Sequence, residues 1–407
     1  MKDSSILFSN KKYNEENQNL AKEKTKDVLE RFNKWTVSFK YLLDQDEVDD
    51  LFSEQAAVAD SVIMHEEERV SKYQRLLLEV EKKSVLRKQS LLAQKQKTNN
   101  KIVIDLINKH EENFRAFLEK KEVEELIKFP SSYAEFLAFA YTDGITINKI
   151  YDIVIKNTAL ADSIIALVNN PTFCHSINKT AKNIRDLKTA IGFIGIERCK
   201  MLLPVLMLKP LLKWNDSNTK LITPKIWQHA ILTANATKKR LEDAGFKRPE
   251  EGFAIGLIRN IGHFIIMNYF TMIFEKTMEE IITYYRDNGM REEFYACTDI
   301  TPKLRFLPSL LSDVSEDLTR KIVNNIDWGH RPYLREAIIQ DIDDTPVRER
   351  SLHSVALMQG RSFSIHHLMT KSNAFLKPYA NVFFAHCLLS KDAQKGIASS
   401  NPGLLNK

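Results

Sequence analysis

Histidines and cysteines are the side chains in this sequence that could hold a metal ion or act as nucleophiles. The chain has ten His and four Cys. Neither set falls into a spacing that such chemistry uses, because no HExxH pair and no CxxC pair occurs. The glycine-rich phosphate loops and the GxSxG serine motif are missing from the sequence as well. These motifs therefore give no indication of a catalyst.

One acidic run, DQDEVDD from Asp44 to Asp50, begins with the spacing of a calcium-binding loop. Asp49 stands where that loop needs Gly for its sharp turn, and Gln55 stands where it needs a bidentate Glu. We therefore predict a solvated helix end or turn here, and no calcium site.

The first 129 residues contain neither Gly nor Pro, since the first Pro is Pro130 and the first Gly is Gly144. Such a charged stretch without breakers predicts long helices, and we expect residues 1–125 to form a helical hairpin or coiled-coil-like segment. Its apolar residues recur three and four positions apart, in two stripes: Val28, Phe32, Trp35, Phe39 and Leu42, then Val70, Tyr73, Leu77 and Val80. Each apolar stripe is expected to pack against another surface, either on this chain or on a second copy.

Shorter helices separated by turn signals are predicted after Pro130. Thr146 and Thr158 are candidate N-caps, and Thr180 is a candidate start for a third helix. Longer apolar helices are predicted over residues 226–244 and 250–274, and in the second of these Gly256 and Gly262 allow close packing. No strand-like alternation competes with this pattern, so we predict an all-α fold.

The net charge of +6 comes from the end of the chain. Residues 345–407 hold eight Lys or Arg against two acids, and form a predicted basic, helical C-terminal extension. Phe375, Tyr379 and Phe383 lie at helical spacing within it, which indicates packing. Association with nucleic acid or a membrane surface through this extension remains an alternative.

Three features together predict a cytoplasmic protein without a membrane span. The four cysteines are far apart, which suits free thiols in a reducing cytosol. The first residues are polar and charged, with no apolar signal segment. No run of about 18 apolar residues occurs. Gly and Pro are few, with twelve of each, which excludes low-complexity chains.

Four ordered segments carry a resemblance to a known family. They are NTALADSIIALVNNPTF from Asn157, AIGFIGIERCKMLLPVLML from Ala190, WQHAILTANA from Trp227 and EGFAIGLIRNIGHF from Glu251. They resemble bacterial HDOD domains, which are helical modules similar to HD-type metal-dependent phosphohydrolases. The resemblance covers roughly residues 126–344. It implies an HD-like helical core and a role in bacterial signal transduction, often without enzymatic activity.

The HD-type enzymes use a first His, then a His-Asp pair about thirty residues later, to hold a metal ion that activates water. His229 matches the first position, but Arg259-Asn260 stands where the pair should be. A guanidinium has no lone pair and keeps its positive charge, so Arg259 cannot ligate a cation. We therefore expect no metal, no cofactor and no catalytic residue.

Two interpretations of Arg259 remain open. If the ancestral pocket is still concave, His229, Arg259 and Asn260 would make it accept an anion, because Arg binds phosphate in a bidentate manner. His263 follows Arg259 by four residues on about the same helical face, which completes the candidate ligand pocket. Alternatively, Arg259 forms an internal ion pair with an acid such as Asp317 or Asp327.

The favoured function is that of a non-catalytic regulatory protein, a pseudoenzyme whose HDOD-like domain binds a partner protein or small ligand. Its N-terminal helices would form a homodimer, contact another protein, or cover the HDOD-like core itself. The enzymatic alternative is a degenerate metal-dependent phosphohydrolase or phosphodiesterase. The two differ in whether the protein holds a metal ion and turns over a phosphodiester.

Overall fold

The computed structural model describes residues 4–8, 14–37, 79–127, 131–142, 144–180, 183–214, 216, 219–298 and 307–403. These residues form helices and turns, and no β-strand is found among them, which confirms the all-α prediction. A π-helical turn, Leu310–Val314, leads into the fifteenth helix. The helices are α1 (Glu15–Val37), α2 (Glu79–Glu119), α3 (Val123–Leu126), α4 (Ser131–Ala140), α5 (Ile147–Val154), α6 (Thr158–Val168), α7 (Pro171–Ser176), α8 (Leu187–Ile194), α9 (Ile196–Leu208), α10 (Thr223–Asp243), α11 (Glu250–Ile258), α12 (Ile261–Asp287), α13 (Arg291–Thr298), α14 (Leu307–Ser309), α15 (Ser315–Asn325), α16 (Pro332–Ile342), α17 (Leu352–Lys371), α18 (Ala380–His386) and α19 (Lys391–Ser399).

The chain divides into two compact units. The first unit contains residues 1–36, 121–268 and 308–407, and the second contains residues 37–120 and 269–307. This division differs from the predicted segments 1–125, 126–344 and 345–407. The physical reason is that α1 and the C-terminal extension share a core with the middle of the chain, whereas α2 belongs with the later part of α12.

Helix α10 is the centre of the first unit. It packs against both α11 and α17, and twelve of its residues are buried. Glycines make these approaches close: a Cβ at Gly256 would lie 2.6 Å from the Cα of Ala234, and a Cβ at Gly360 would lie 2.3 Å from Thr237 Oγ1. The close packing predicted at Gly256 is thereby confirmed.

The helix starts follow the predicted capping residues only in part. Thr146 caps α5 as predicted, because its side chain accepts a hydrogen bond from the amide of Lys149. Helix α6 is capped by Asn157, so Thr158 is its first helical residue instead of its cap. The helix expected to open at Thr180 begins at Leu187, where the carboxylate of Asp186 accepts from the Thr189 amide. Asp and Asn oxygens cap as well as Thr, which explains both corrections.

The apolar helix predicted over residues 250–274 is interrupted by a short turn at Arg259-Asn260, which separates α11 from α12. By length and composition, the stretch Glu250–Asp287 is apolar enough to cross a membrane, contrary to the expectation from the sequence. However, 83% of its most apolar window is buried inside the protein. Most of this stretch is therefore packed inside the protein as core helix.

The C-terminal extension is part of the first unit. Phe375 and Phe383 are buried there, as their spacing predicted. Tyr379 is half-buried beside the cationic ends of Lys24 and Arg31, which belong to α1. The four cysteines are free and buried, as expected.

In the second unit, α2 packs along the later part of α12. The amide of Asn113 donates to Glu280 over 2.8 Å, and the hydroxyl of Tyr285 donates to Asp105 over 2.8 Å. The predicted acidic run Asp44–Asp50, the stripe residues Phe39 and Leu42, and most of the second stripe lie outside the described residues.

His110 is a buried polar residue of the second unit. It is 1% exposed and is surrounded by the rings of Phe114, Phe270 and Phe274, with centroids 5.3–5.9 Å away. Among the described residues, neither of its ring nitrogens has a hydrogen-bond partner. Burial lowers its pKa to about 4, so the folded protein holds it neutral.

Replacing His110 with leucine is therefore expected to stabilise the second unit by about 1 to 3 kcal/mol, because it removes two unsatisfied nitrogens. The gain should be larger at pH 5 than at pH 7.5. The unfolded histidine binds a proton below about pH 6.5, whereas the folded one does not, so the wild type loses stability as the pH falls. Hydrogen exchange of the α2 amides measures the effect, and a less stable variant at both pH values would contradict it.

Candidate functional site

All four residues predicted to form a ligand pocket line one hollow of about 520 Å³ in the first unit. His229 lies on α10, while Arg259, Asn260 and His263 lie where α11 gives way to α12. The Asn260 amide donates to the carbonyl of Gly256 over 3.2 Å, which holds this side chain against the end of α11. Arg259, Asn260 and His263 thus reach the hollow from the turn between the two helices and the first turn of α12.

Arg259 is 4% exposed and its guanidinium is held by two carboxylates. Its Nε donates to Asp341 Oδ2 over 2.7 Å, and its Nη2 donates to Glu316 Oε1 over 3.0 Å. The internal ion pair considered from the sequence is present, but its partners are not Asp317 or Asp327. Asp317 follows Glu316 by one residue and so points about 100° further around α15. Asp327 is exposed and accepts from the Gly329 amide.

Asp341 is the anionic centre of this site. Its side chain is fully buried, and Arg350 Nη1 lies 3.0 Å and Arg361 Nε 3.1 Å from its carboxylate, in addition to Arg259. Burial alone would raise the pKa of Asp341, but the three guanidinium charges outweigh it and hold the pKa well below its usual range. Three arginines, one from the turn between α11 and α12 and two from the C-terminal extension, therefore converge on one carboxylate.

The two histidines of the hollow are neutral. Burial lowers the pKa of His263 to about 4, and the charge of Arg259 adds to the effect. Burial, together with the nearby His263, Arg361 and Arg259, also holds the pKa of His229 well below its ordinary value. His263 Nε2 lies 3.3 Å from the carbonyl of Leu311, to which it can donate.

Ser364 of α17 fixes the orientation of His229. Its hydroxyl lies 2.8 Å from His229 Nδ1 and donates to the backbone carbonyl of the same residue over 3.3 Å. A hydroxyl that donates to that carbonyl accepts from Nδ1, so we assign His229 the tautomer with the proton on Nδ1 and the lone pair on Nε2.

We expect Ser364→Ala to lower the free energy of unfolding by about 1 kcal/mol, since a buried hydrogen bond is lost. The ¹⁵N chemical shifts of His229 should also move toward a mixture of tautomers. Ser163→Ala is the matched control, because the half-buried Ser163 makes a solvent-exposed hydrogen bond to the Ala159 carbonyl within its own helix α6. Unchanged histidine shifts in Ser364→Ala would contradict the assignment.

Helix α1 covers the hollow. The Phe32 ring lies on His229, with centroids 4.7 Å apart, and Trp35 stacks on Phe32 at 5.5 Å. Lys225 of α10 donates to the Trp35 carbonyl over 3.0 Å, and burial lowers its pKa to about 8. The described part of the first stripe, Val28, Phe32 and Trp35, is buried against the chain's own core.

Comparison with known proteins identifies the family of one segment of the chain. Residues 126–297 match the model of the HDOD domain. This segment is an HDOD domain. The match confirms the resemblance drawn from the four sequence segments, two of which contribute residues to the hollow. No curated protein sequence is similar enough to the chain to count as a match.

One solved structure is similar to the chain, the crystal structure of a "Putative metal-dependent phosphohydrolase from Shewanella amazonensis SB2B". The identity is 14%, the TM-score is 0.38, and the similarity covers 75% of this chain and 99% of the other. At that TM-score the likeness carries no argument about activity.

The HDOD domain does not fit a metal ion at this site. Arg259 places a fixed positive charge there, and Arg361 lies beside it. His229 and His263 are neutral but only two, and Asn260 has a neutral amide oxygen. Among the described residues, no group of three or more His, Cys, Asp or Glu side chains is placed to hold a metal ion. The side chains that line this hollow therefore form hydrogen bonds and ion pairs with one another and do not provide a cation site.

Sequence reasoning missed most of the residues that surround Arg259: Glu316, Asp341, Arg350, Arg361, Ser364 and, as a contact of His229, Phe32. One signal was available. Asp341 lies on the same helical face as Leu334, Ala337 and Ile338, at spacings of three, four and seven, so an acid interrupts an apolar stripe. An acid in such a position must be paired when the helix packs.

Proposed function

We propose that this chain is a non-catalytic regulatory protein of a bacterial signalling pathway, whose HDOD domain binds a partner protein or a small ligand. One observation carries the proposal: Arg259, at the position of a metal-binding histidine in HD-type enzymes, is buried and ion-paired with Asp341 and Glu316. An acid that could have served a metal ion is used to neutralise arginines instead.

The contacts support a structural role for Arg259 over direct binding of a phosphate. Asp341 and Glu316 already neutralise the guanidinium, which makes it a weaker site for a phosphate. Arg361 also lines the hollow but pairs with Asp341. The other cations of the hollow, Lys26 and Lys34 of α1, are exposed and have no ion-pair partner among the described residues. An anionic ligand is thus a separate hypothesis, and binding of labelled nucleotides that is equal in wild type and Arg259→Ala would remove Arg259 from it.

Turnover assays test the proposal. Wild-type protein is incubated with a panel of nucleotide phosphodiesters and with Mg²⁺, Mn²⁺, Fe²⁺ or Zn²⁺, beside His229→Ala as a control. We expect no turnover that distinguishes the two proteins. Metal-dependent hydrolysis by the wild type that is lost in His229→Ala would establish the alternative, a degenerate phosphohydrolase.

The regulatory half of the proposal predicts a stoichiometric partner. Affinity capture with the full chain from its native cell would name candidates, and each is then purified and tested for direct binding.

A homodimer stays a prediction as well. Because α1 belongs to the first unit, removal of the N-terminal helices would disturb that unit. Sedimentation of the full chain over a range of concentrations is the better test, and a monomer at every concentration would end the dimer proposal.

A further inference from the structure

A second hollow of the first unit, of about 1150 Å³, lies between the start of α1, the later half of α17, α18 and α19. It is separate from the hollow around Arg259. Arg361 and Ile365 of α17 line the latter, whereas Phe363, His366 and His367 line the former, on a different face of the same helix. Nothing in the HDOD domain contributes to its walls.

Apart from the lysines at its rim this second hollow is uncharged, and most of its surface is apolar, although polar side chains such as Asn17, Thr370 and Asn381 also line it. Phe363 stacks on His367 with centroids 5.7 Å apart, and His366 packs its ring 4.8 Å from Phe384. Burial lowers the pKa of His366 to about 4, so it is neutral at physiological pH. Leu20 lines the hollow too, and 44% of this large apolar residue is exposed.

The rim carries only positive charge. Lys371, Lys391 and Lys395 line the hollow, all three are exposed, and within the described part of the chain none of them has an ion-pair partner. No acidic residue is among the lining residues, and Asp392, the neighbour of Lys391, is outside them. Three like charges around an apolar hollow repel one another and raise the local concentration of anions.

We propose that this hollow binds a long-chain carboxylate, with the hydrocarbon chain between the four helices and the carboxylate at the lysine rim. Small-molecule sites are concave, mostly apolar and of about 300 to 1000 Å³. This hollow of about 1150 Å³ lies just above that range, so it has room for a long hydrocarbon chain. A protein partner would instead use a broad surface of about 800 Å². The site goes beyond the proposed function and does not depend on Arg259.

Titration calorimetry of the full chain with three probes tests the proposal. Dodecanoate has both chain and charge, dodecanol has the chain alone, and butanoate has the charge with little chain. We expect dodecanoate to bind at one site per chain and about tenfold more tightly than dodecanol, with butanoate undetected. Equal binding of dodecanoate and dodecanol, or binding of neither, would overturn the proposal.

Two sets of variants locate the site. Lys371→Met, Lys391→Met and Lys395→Met together keep the aliphatic stems and should weaken dodecanoate about tenfold while leaving dodecanol unchanged. The matched control replaces three other exposed lysines of the first unit, Lys188, Lys220 and Lys247, with Met and should leave both affinities unchanged. Ala398→Trp, at an exposed lining position, should block both ligands.

The outcomes separate the alternatives. Circular dichroism that matches the wild type shows that each variant is folded. A control triple variant that weakens dodecanoate as much as the rim variant overturns the site. Binding of an acidic helical peptide that is lost in the rim variant, without binding of dodecanoate, makes the hollow a protein groove and also overturns the proposal.

Discussion

Asp341→Asn is expected to lower the free energy of unfolding by about 3 to 5 kcal/mol, because it removes one partner of a buried ion-pair network. Asparagine keeps the shape of the side chain but not its charge. Arg259, Arg350 and Arg361 would then face one another around a neutral amide in a site from which water is largely excluded. All four tryptophans, Trp35, Trp214, Trp227 and Trp328, lie in the first unit, so their fluorescence during chemical denaturation reports on this unit alone.

Asp343→Asn is the matched control for this prediction. Asp343 lies two residues further along and pairs with Arg320 at 2.6 Å, but the two side chains are 46% and 36% exposed. Its loss should cost about 0 to 1 kcal/mol, as for other surface ion pairs. A loss for Asp341→Asn no larger than that of the control would contradict the role given to Asp341.

The pH dependence of Asp341→Asn has a defined sign. The folded pKa of Asp341 lies below the ordinary value of 3.8, so its carboxylate stabilises the fold above that value and the contribution is lost as the pH falls through and below it. The difference in unfolding free energy between wild type and variant should therefore shrink from about pH 5 to about pH 3. A difference that grows over this range would contradict the ion-pair network.

Gly262→Ala is expected to destabilise the first unit by about 3 kcal/mol or more, at the upper end of overpacking effects. A Cβ at this position would lie 2.0 Å from the backbone oxygen of Ser315 and 2.7 Å from Thr319 Oγ1. The Gly262 amide also donates to that hydroxyl over 3.1 Å. The glycine thus lets α15 approach α12 closely enough for Glu316, the residue after Ser315, to reach Arg259.

Gly396→Ala is the control, and its expected effect has the opposite sign. Gly396 lies inside α19, and nothing would come within 4 Å of an added Cβ. Alanine there should raise the unfolding free energy by up to about 1 kcal/mol, through helix propensity alone. Tryptophan fluorescence again measures both variants. A Gly262→Ala protein as stable as the wild type would show that α12 and α15 are not in this contact.

The helices were predictable because their signals are local. The lack of Gly and Pro before residue 130 gave the long α1 and α2, and Gly256 and Gly262 marked the close approaches of the central helices. Single helix starts were harder, since Asn157 and Thr158 are both good caps and lie next to each other. Only the packing of the turn decides between such neighbours.

The partners of Arg259 could not be predicted, because Glu316 and Asp341 follow it by 57 and 82 residues. Their positions depend on how α15 and α16 pack, and spacing in the sequence does not encode that. The sequence shows that the C-terminal extension is positively charged, but it does not show which of its cations are buried. Arg350 and Arg361 pair with the buried Asp341, whereas Lys371, Lys391 and Lys395 lie at the surface.

The stripe on α1 illustrates the same limit. An apolar stripe shows that a helix face is covered, but it does not distinguish the chain's own core from a second copy. Phe32 and Trp35 lie against His229 and Lys225 of the same chain. Three-dimensional contacts were needed to see that the N-terminal helix covers the hollow of the HDOD domain.

Metal binding tests the central claim most directly. Metal-free protein is equilibrated with Mn²⁺, Fe²⁺ or Zn²⁺, freed of unbound ions, and analysed for metal beside His229→Ala. Because Arg259 is fixed by Asp341 and Glu316, the account predicts that the wild type retains no more metal than His229→Ala does. One tightly held ion per wild-type chain, lost in His229→Ala, would contradict it.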